Sequence, residues 1–337
     1  MLNILVDVMA EPRSVERLRA IPDITLHLVG IPEERARIFP AEKLRRTHIL
    51  FCSLPPVNFS EMHNLQWVQI TSAGYSQLFD LRLSERGILA SNGRGVFDIP
   101  IAEWNISMMV NLGRNLRGMI RNQERAVWDR DAEFQSEIRG KTVGLWGYGG
   151  LGRETARLAK AMGLCVHVLS RRGIRPVEDV YCVPGTGDPE GILPDRVFLA
   201  GQELEFLSGL DFLILAMPLT RSTAGSVGER ELKALPRHAF LLNPSRGPLV
   251  QERALLQALE DGWIRGAAID THYQYPLPPE HPLWHFPNVI LTPHISGSSG
   301  SPHYLERTWD LFTQNLERFR SGRVLINQLT PEQLRGE

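Results

Sequence analysis

"KTVGLWGYGGLG" (residues 141–152) decides the fold. Its core, "TVGLW" (142–146), is a short apolar run of the kind buried in a parallel sheet. It leads without a break into Gly147, Tyr148, Gly149, Gly150, Leu151 and Gly152. A helical pattern follows, with Leu151, Thr155, Leu158, Ala159 and Met162 on one face. Strand, glycine turn and helix in that order form a dinucleotide-binding unit. The first glycine permits the tight turn, the second admits a pyrophosphate, and the third lets helix and strand pack closely. The helix N-terminus adds free amides and the positive end of its dipole.

The next strand bears on the kind of dinucleotide. "CVHVLS" (165–170) ends on Ser170, followed by Arg171 and Arg172. An acidic residue at this strand end would bind the ribose hydroxyls of NAD and repel a 2′-phosphate. A hydroxyl and a pair of guanidiniums suit the 2′-phosphate instead, through charge-assisted hydrogen bonds. The expected cofactor is NADP(H), with NAD(H) as the possible alternative.

Outward from this unit the chain alternates strands and helices. "NILVDV" (3–8), "ITLHLVG" (24–30), "HILFCS" (48–53) and "WVQIT" (67–71) are apolar runs separated by helical stretches such as "EPRSVERLRAI". That rhythm predicts parallel sheets covered by helices. From Ile101 to Trp128 the pattern reads as one long helix, apolar nearly all round in its first half and therefore buried. Leu305, Trp309, Phe312, Leu316 and Phe319 recur at spacings of four and three, the stripe of a helix facing a core. The fold class is α/β, with two Rossmann-like or flavodoxin-like domains. Residues 1–100 plus 301–337 make one domain, and 101–300 are inserted in it as the second.

A chain of 337 residues is long enough for two such domains. Its net charge of −1 sets up no field that would recruit nucleic acid or an anionic membrane. No apolar run approaches the ~20 residues of a membrane helix. Cys52, Cys165 and Cys182 show no metal-ligand spacing and read as reduced thiols of a cytoplasmic protein, and no metal is expected. "MLNILVDV" is too short and too acidic for a signal peptide and reads as a first strand.

Further motifs follow one another along the chain: "TSAG" (71–74), "PIAEW" (100–104), "MPLTRST" (217–223), "LLNPSRGPLV" (241–250), "GAAID" (266–270) and "NVILTPHISG" (288–297). With them the chain resembles the D-isomer-specific 2-hydroxyacid dehydrogenases. That family includes glyoxylate/hydroxypyruvate reductases, phosphoglycerate dehydrogenase, and phosphite and formate dehydrogenases. The resemblance implies a split substrate domain, an inserted Rossmann cofactor domain, a cleft between them, and a homodimer built around the cofactor domains. The long helix from Ile101, and Trp128 at its end, are in keeping with such a dimer. The implied activity is NADP(H)-dependent reduction of a small 2-oxo acid, of the glyoxylate/hydroxypyruvate class, to a 2-hydroxy acid.

The resemblance also implies roles for single residues. Arg246 matches the catalytic arginine, and a guanidinium suits the planar carboxylate and carbonyl of a 2-oxo acid. His294 matches the acid/base histidine; an imidazole titrates near neutrality and can give a proton to a nascent alkoxide. Asp270 matches the residue that hydrogen-bonds the nicotinamide carboxamide. Met217, Pro218, Thr223, Asn243, Pro244 and Gly297 lie in the motifs that line the cofactor. Ser72, Ala73 and Gly74 match the loop whose amides receive the substrate carboxylate, and Arg94 is a further candidate contact.

The chain departs from the family's pattern in "AIDTHYQYPLPPEHPLW" (268–284). Most members carry a glutamate five residues after the aspartate matched by Asp270, just before a proline, and it keeps the histidine protonated. Here Tyr275 stands there, before Pro276. Tyr275 thus joins the catalytic candidates, and His294 is expected to have a depressed pKa, because a neutral phenol favours imidazolium less than a carboxylate does. Formate dehydrogenases also lack that carboxylate and have a similar proline-rich loop. A formate- or phosphite-type dehydrogenase is therefore one alternative, and a reductase whose substrate contacts Tyr275 is another. A dinucleotide-sensing binding protein on the same scaffold is a third, against which the retained Arg246 and His294 argue. A second departure is the Pro/Gly-rich insertion over 174–196, read as a surface loop, with Arg175 as a candidate contact at the adenosine end of the cofactor.

Overall fold

The computed structural model describes residues 1–30, 35–177 and 179–336. The chain forms two compact units. Met1–Phe97, Glu178–Tyr181 and Ser299–Glu337 make the first, and Asp98–Val177 with Cys182–Ser298 make the second. The changes of unit fall at 97/98 and 298/299, beside the expected 100/101 and 300/301, and a short piece of the insertion belongs with the first unit. Glu178, within that piece, lies outside the described residues.

Among the described residues the first unit holds strands β1 (Leu2–Asp7), β2 (Ile24–Leu28), β3 (Ile49–Cys52), β4 (Trp67–Ile70) and β5 (Leu89–Ser91), in the order β2-β1-β3-β4-β5. Every pairing is parallel, with Ile4 level with Ile49 and Ile49 level with Trp67. Side chains alternate between the faces, as the two-residue period of a strand requires. Leu5, Leu50 and Val68 fill one side, and Ile4, Ile49 and Trp67 the other.

The helix Pro302–Arg320 covers the second of these faces. Its expected stripe is the packing surface: Trp309, Phe312 and Leu316 are buried, and Leu305 and Phe319 are partly so. Phe312 stacks on Phe51 with ring centroids 4.2 Å apart and lies 5.3 Å from Trp67. Burying a helix also buries polar groups: Thr308 Oγ1 has no partner among the described residues, whereas Asn315 is satisfied at both side-chain atoms. Asn315 Nδ2 donates to Gln69 Oε1 at 2.9 Å, and its Oδ1 accepts from Ile326 N at 2.7 Å. Ser91 donates to the same Gln69 oxygen at 2.7 Å and accepts from Trp67 Nε1 at 2.8 Å.

The second unit holds β6 (Thr142–Trp146), β7 (Cys165–Ser170), β8 (Arg196–Leu199), β9 (Phe212–Leu215), β10 (Phe240–Asn243), β11 (Gly266–Ile269) and β12 (Val289–Leu291). Their order is β12-β11-β10-β9-β6-β7-β8, parallel throughout. The chain enters at β6, runs outward through β7 and β8, and returns to β9 on the other side. That reversal opens a crevice at the carboxyl end of β6, where doubly wound sheets bind their ligands.

The single helix expected over 101–128 is two. Asp98–Gly113 and Leu116–Glu124 are separated at Asn115, which is left-handed at φ 47° and accepts from Gly118 N with its side chain. Asparagine enters that region at little steric cost, so the break needs no glycine. In the first helix Trp104, Met108, Met109 and Leu112 are buried in one cluster with Ala156 and Ala159 of the helix Gly150–Ala161. Asn105 Nδ2 donates to Thr155 Oγ1 at 3.0 Å across the same contact. Among the described residues no helix is long and apolar enough to cross a membrane, and no group of three or more His, Cys, Asp or Glu is placed to hold a metal.

Candidate active site

The glycine loop follows β6. Gly147 is at φ 106°, and a Cβ there would lie 2.6 Å from Ala216 O, so the turn sits hard against the end of β9. A Cβ on Gly152 would lie 2.6 Å from Gly147 O, which lets the helix start close to the strand. A Cβ on Gly149 would meet nothing within 4 Å. The helix Gly150–Ala161 has no side-chain cap, and the amides of Gly149, Gly150 and Leu151 have no partner among the described residues. Close backbone, an open middle glycine and free amides at a helix N-terminus fit a dinucleotide pyrophosphate. Gly150 has its own reason to be glycine: a Cβ there would lie 1.8 Å from Asp98 Oδ2.

At the end of β7, Ser170 Oγ donates to Gly173 O at 2.8 Å. The hydroxyl proton thus shapes the turn rather than facing a phosphate. Arg171 and Arg172 are exposed, and neither has a carboxylate partner among the described residues. Arg175 is exposed too, and its carbonyl accepts from Arg153 Nη2 at 2.6 Å. Of the other expected cofactor residues, Met217, Asn243 and Pro244 are buried. Thr223 Oγ1 donates to Pro218 O at 2.7 Å, and Asn243 Nδ2 donates to Arg246 O at 2.9 Å. Gly297 lies just beyond Ser296 in the loop after β12 and is half-buried.

Arg246 leaves β10 in the turn "NPSRG". Its one guanidinium hydrogen bond among the described residues is to Ser245 O, at 2.7 Å, and no carboxylate pairs with it. Burial pushes its pKa down, with Tyr275 opposing weakly. A guanidinium stays charged regardless. A partly desolvated cation without an anion is a site for one.

His294 stands in the loop after β12, at φ 56°. Its amide donates to Asp270 O at 2.8 Å. Asp270, fully buried, grips the rest of this loop with its carboxylate. Oδ1 accepts from Thr292 Oγ1 at 2.6 Å and Ile295 N at 2.9 Å, and Oδ2 from Ser296 N at 3.1 Å and Ser296 Oγ. These bonds tie Asp270 to the loop that carries His294. Neither ring nitrogen of His294 has a partner among the described residues. Although the residue is exposed, partial desolvation of its ring and the Arg246 charge hold its pKa below the ordinary value, Asp270 pulling upward and His272 down.

The Tyr275 ring lies 5.4 Å from that of His294, tilted by 48°. Its phenol oxygen accepts from His272 N at 3.1 Å. Burial raises the phenol's pKa; the His272 amide and Arg246 act against it, and Asp270 with it. Tyr275 is therefore a neutral neighbour to His294 and no substitute for a carboxylate. Sequence reasoning passed over His272, which is buried. Its Nε2 meets Thr292 O at 2.9 Å and so carries the proton, while Nδ1 is buried without a partner. The only signal was a histidine two residues beyond Asp270 in the same loop.

The loop "TSAG" belongs to the first unit. Ser72 Oγ donates to Gly74 O at 2.7 Å and accepts from Gln77 Nε2 at 2.9 Å, and Asn92 Nδ2 holds Ala73 O at 2.7 Å. The amides of Ser72, Ala73 and Gly74 have no partner among the described residues. Arg94 is exposed in the same unit, its carbonyl accepting from Asn327 Nδ2 at 2.7 Å.

Comparison with known proteins places these features in a family. Residues 106–296 match the model described as "D-isomer specific 2-hydroxyacid dehydrogenase, NAD binding domain". A glyoxylate reductase of Thermofilum pendens is 31% identical over 272 residues, which span 79% of this chain and 76% of the relative. A D-isomer specific 2-hydroxyacid dehydrogenase family protein from Aeromonas salmonicida superposes with a TM-score of 0.80 at 24% identity, over 98% of this chain and 99% of its own. An NADPH-dependent glyoxylate/hydroxypyruvate reductase from Sinorhizobium meliloti, in complex with NADP and malonate, superposes with a TM-score of 0.75 at 25% identity, over 99% of this chain and 98% of its own.

Proposed function

The chain belongs to the D-isomer-specific 2-hydroxyacid dehydrogenase family, and we propose that it reduces a small 2-oxo acid of the glyoxylate/hydroxypyruvate class with NADPH. The observation that carries this reading is Arg246, a partly buried cation with no carboxylate partner among the described residues, whose charge reaches His294. When bound, the cofactor supplies the hydride for the carbonyl carbon. Arg246 holds the substrate's carboxylate and carbonyl in one plane and stabilises negative charge growing on the carbonyl oxygen. His294, protonated, gives that oxygen its proton. Asp270 fixes the loop that carries His294. The choice of NADPH rests on Arg171 and Arg172 at the end of β7, which lack carboxylate partners among the described residues.

A second reading, oxidation of formate or phosphite, is favoured by the lack of any carboxylate partner for His294 among the described residues, since formate has no hydroxyl proton to abstract. One assay separates the two: glyoxylate, hydroxypyruvate, formate and phosphite, each with both cofactors. Turnover of the 2-oxo acids with NADPH is expected, and turnover of formate or phosphite alone would replace the first reading by the second.

A further inference from the structure

The insertion over 174–196 contains a buried carboxylate that the reaction does not use. Asp188 is 4% exposed. Its Oδ1 accepts from the amides of Gly191 and Ile192, each at 3.1 Å, and its Oδ2 from the amide of Leu193 at 3.1 Å. The remaining acceptor position of Oδ2 takes the hydroxyl of Tyr148 at 2.6 Å. Tyr148 is the residue between the first two glycines of the pyrophosphate loop. Its ring lies 4.9 Å from the guanidinium carbon of Arg153, and a Cβ on Gly152 would come within 3.5 Å of Tyr148 Cδ2. Arg153 is itself 7% exposed and donates to the backbone oxygens of Asp188 and Arg175. Glu154, on the same helix, accepts from Gly187 N at 2.6 Å. The insertion is therefore fastened to the glycine loop and to the first turn of its helix, and is not a free surface loop.

We propose that Asp188 is a positioning residue of the cofactor site: through the Tyr148 hydroxyl it holds the glycine loop in its binding conformation before the dinucleotide arrives. The inference rests on the cofactor reading above and deepens it. Amides fixed in advance lose little freedom on binding, and amides that must be ordered weaken it. The pyrophosphate is common to NADPH and NADH, so a defect in this loop acts on both alike. The arginines after β7 would act on NADPH alone.

The test is Tyr148→Phe, which removes the hydroxyl and leaves Asp188 its three backbone donors. Dissociation constants for NADPH and NADH are measured by nucleotide fluorescence, and kcat and KM with hydroxypyruvate. The Kd values should rise at least threefold for both nucleotides by the same factor, and the KM of each nucleotide should rise with its Kd by more than kcat falls. Amide exchange over 148–153 should quicken in the nucleotide-free variant. Unchanged Kd values, or a loss confined to NADPH, would overturn the inference. Wild-type protein that binds neither nucleotide would overturn the cofactor reading itself, and the inference with it.

Discussion

His294 is the residue on which the proposed proton transfer depends. Partial desolvation and Arg246 both disfavour its protonated form, and Tyr275 offers only a neutral phenol. Ketone reduction needs imidazolium, so its rate falls as pH rises through the histidine's pKa, and a depressed pKa brings that fall to lower pH. Tyr275→Glu should move the falling limb of the reductive profile upward by about one pH unit or more, the usual effect of a nearby opposite charge. A pH–rate series on the two proteins checks this, and an unmoved limb would remove Tyr275 from the account of His294. Arg171→Ala with Arg172→Ala should lower kcat/KM for NADPH tenfold or more and leave NADH nearly unchanged, since charge-assisted contacts contribute ~1.5–3 kcal/mol each. Parallel losses for both nucleotides would exclude a 2′-phosphate contact. The glycines were legible because strand, glycine turn and helix follow one another without a break, although the contacts of Gly147 with Ala216 and of Gly150 with Asp98 were not. The grip of Asp270 on its loop was not, because its donors lie 22 to 26 residues further on. Nor was the partner of Tyr148, 40 residues away in a segment that reads as mere surface.

Among the elements, the helix Pro302–Arg320 shows how a periodic stripe becomes a contact. Its spacing announced a core-facing helix, while the parallel stack of Phe312 on Phe51 depends on a register that no local pattern contains. Phe312→Ala should destabilise the first unit by about 3–5 kcal/mol, the transfer term plus the cavity left under Phe51 and Trp67. Denaturant titration measures it, and a loss below about 1 kcal/mol, the scale of one buried methylene, would mean that the rings are not packed as described. The helices after residue 97 show the opposite case. Helical periodicity runs on past residue 113, so nothing in it marks Asn115 as a break. The left-handed turn there is a backbone choice that asparagine allows and does not announce.

At the scale of the whole molecule, the alternation of strands and helices was enough for two parallel sheets, because the central strands are apolar on both faces and must be covered twice. The share of the insertion that falls in the first unit was not legible, since Asp179 and Tyr181 find their partners, Arg318, Asp310 and Asn327, near the other end of the chain. Ile120, Val127 and Trp128 are exposed, Trp128 to 91%. Apolar side chains so placed are in keeping with the proposed homodimer. Light scattering at micromolar concentration should give twice the mass of one chain, and a monomer there would refute it.

The proposed reaction is the transfer of a hydride from NADPH to the carbonyl carbon of a small 2-oxo acid. It is tested most directly by incubating the protein with hydroxypyruvate and NADPH carrying deuterium at both positions of nicotinamide C4. Mass spectrometry should find glycerate with a single deuterium, located on C2. Glycerate without deuterium, or no glycerate while formate or phosphite is oxidised with NADP+ or NAD+ in a parallel incubation, would contradict it.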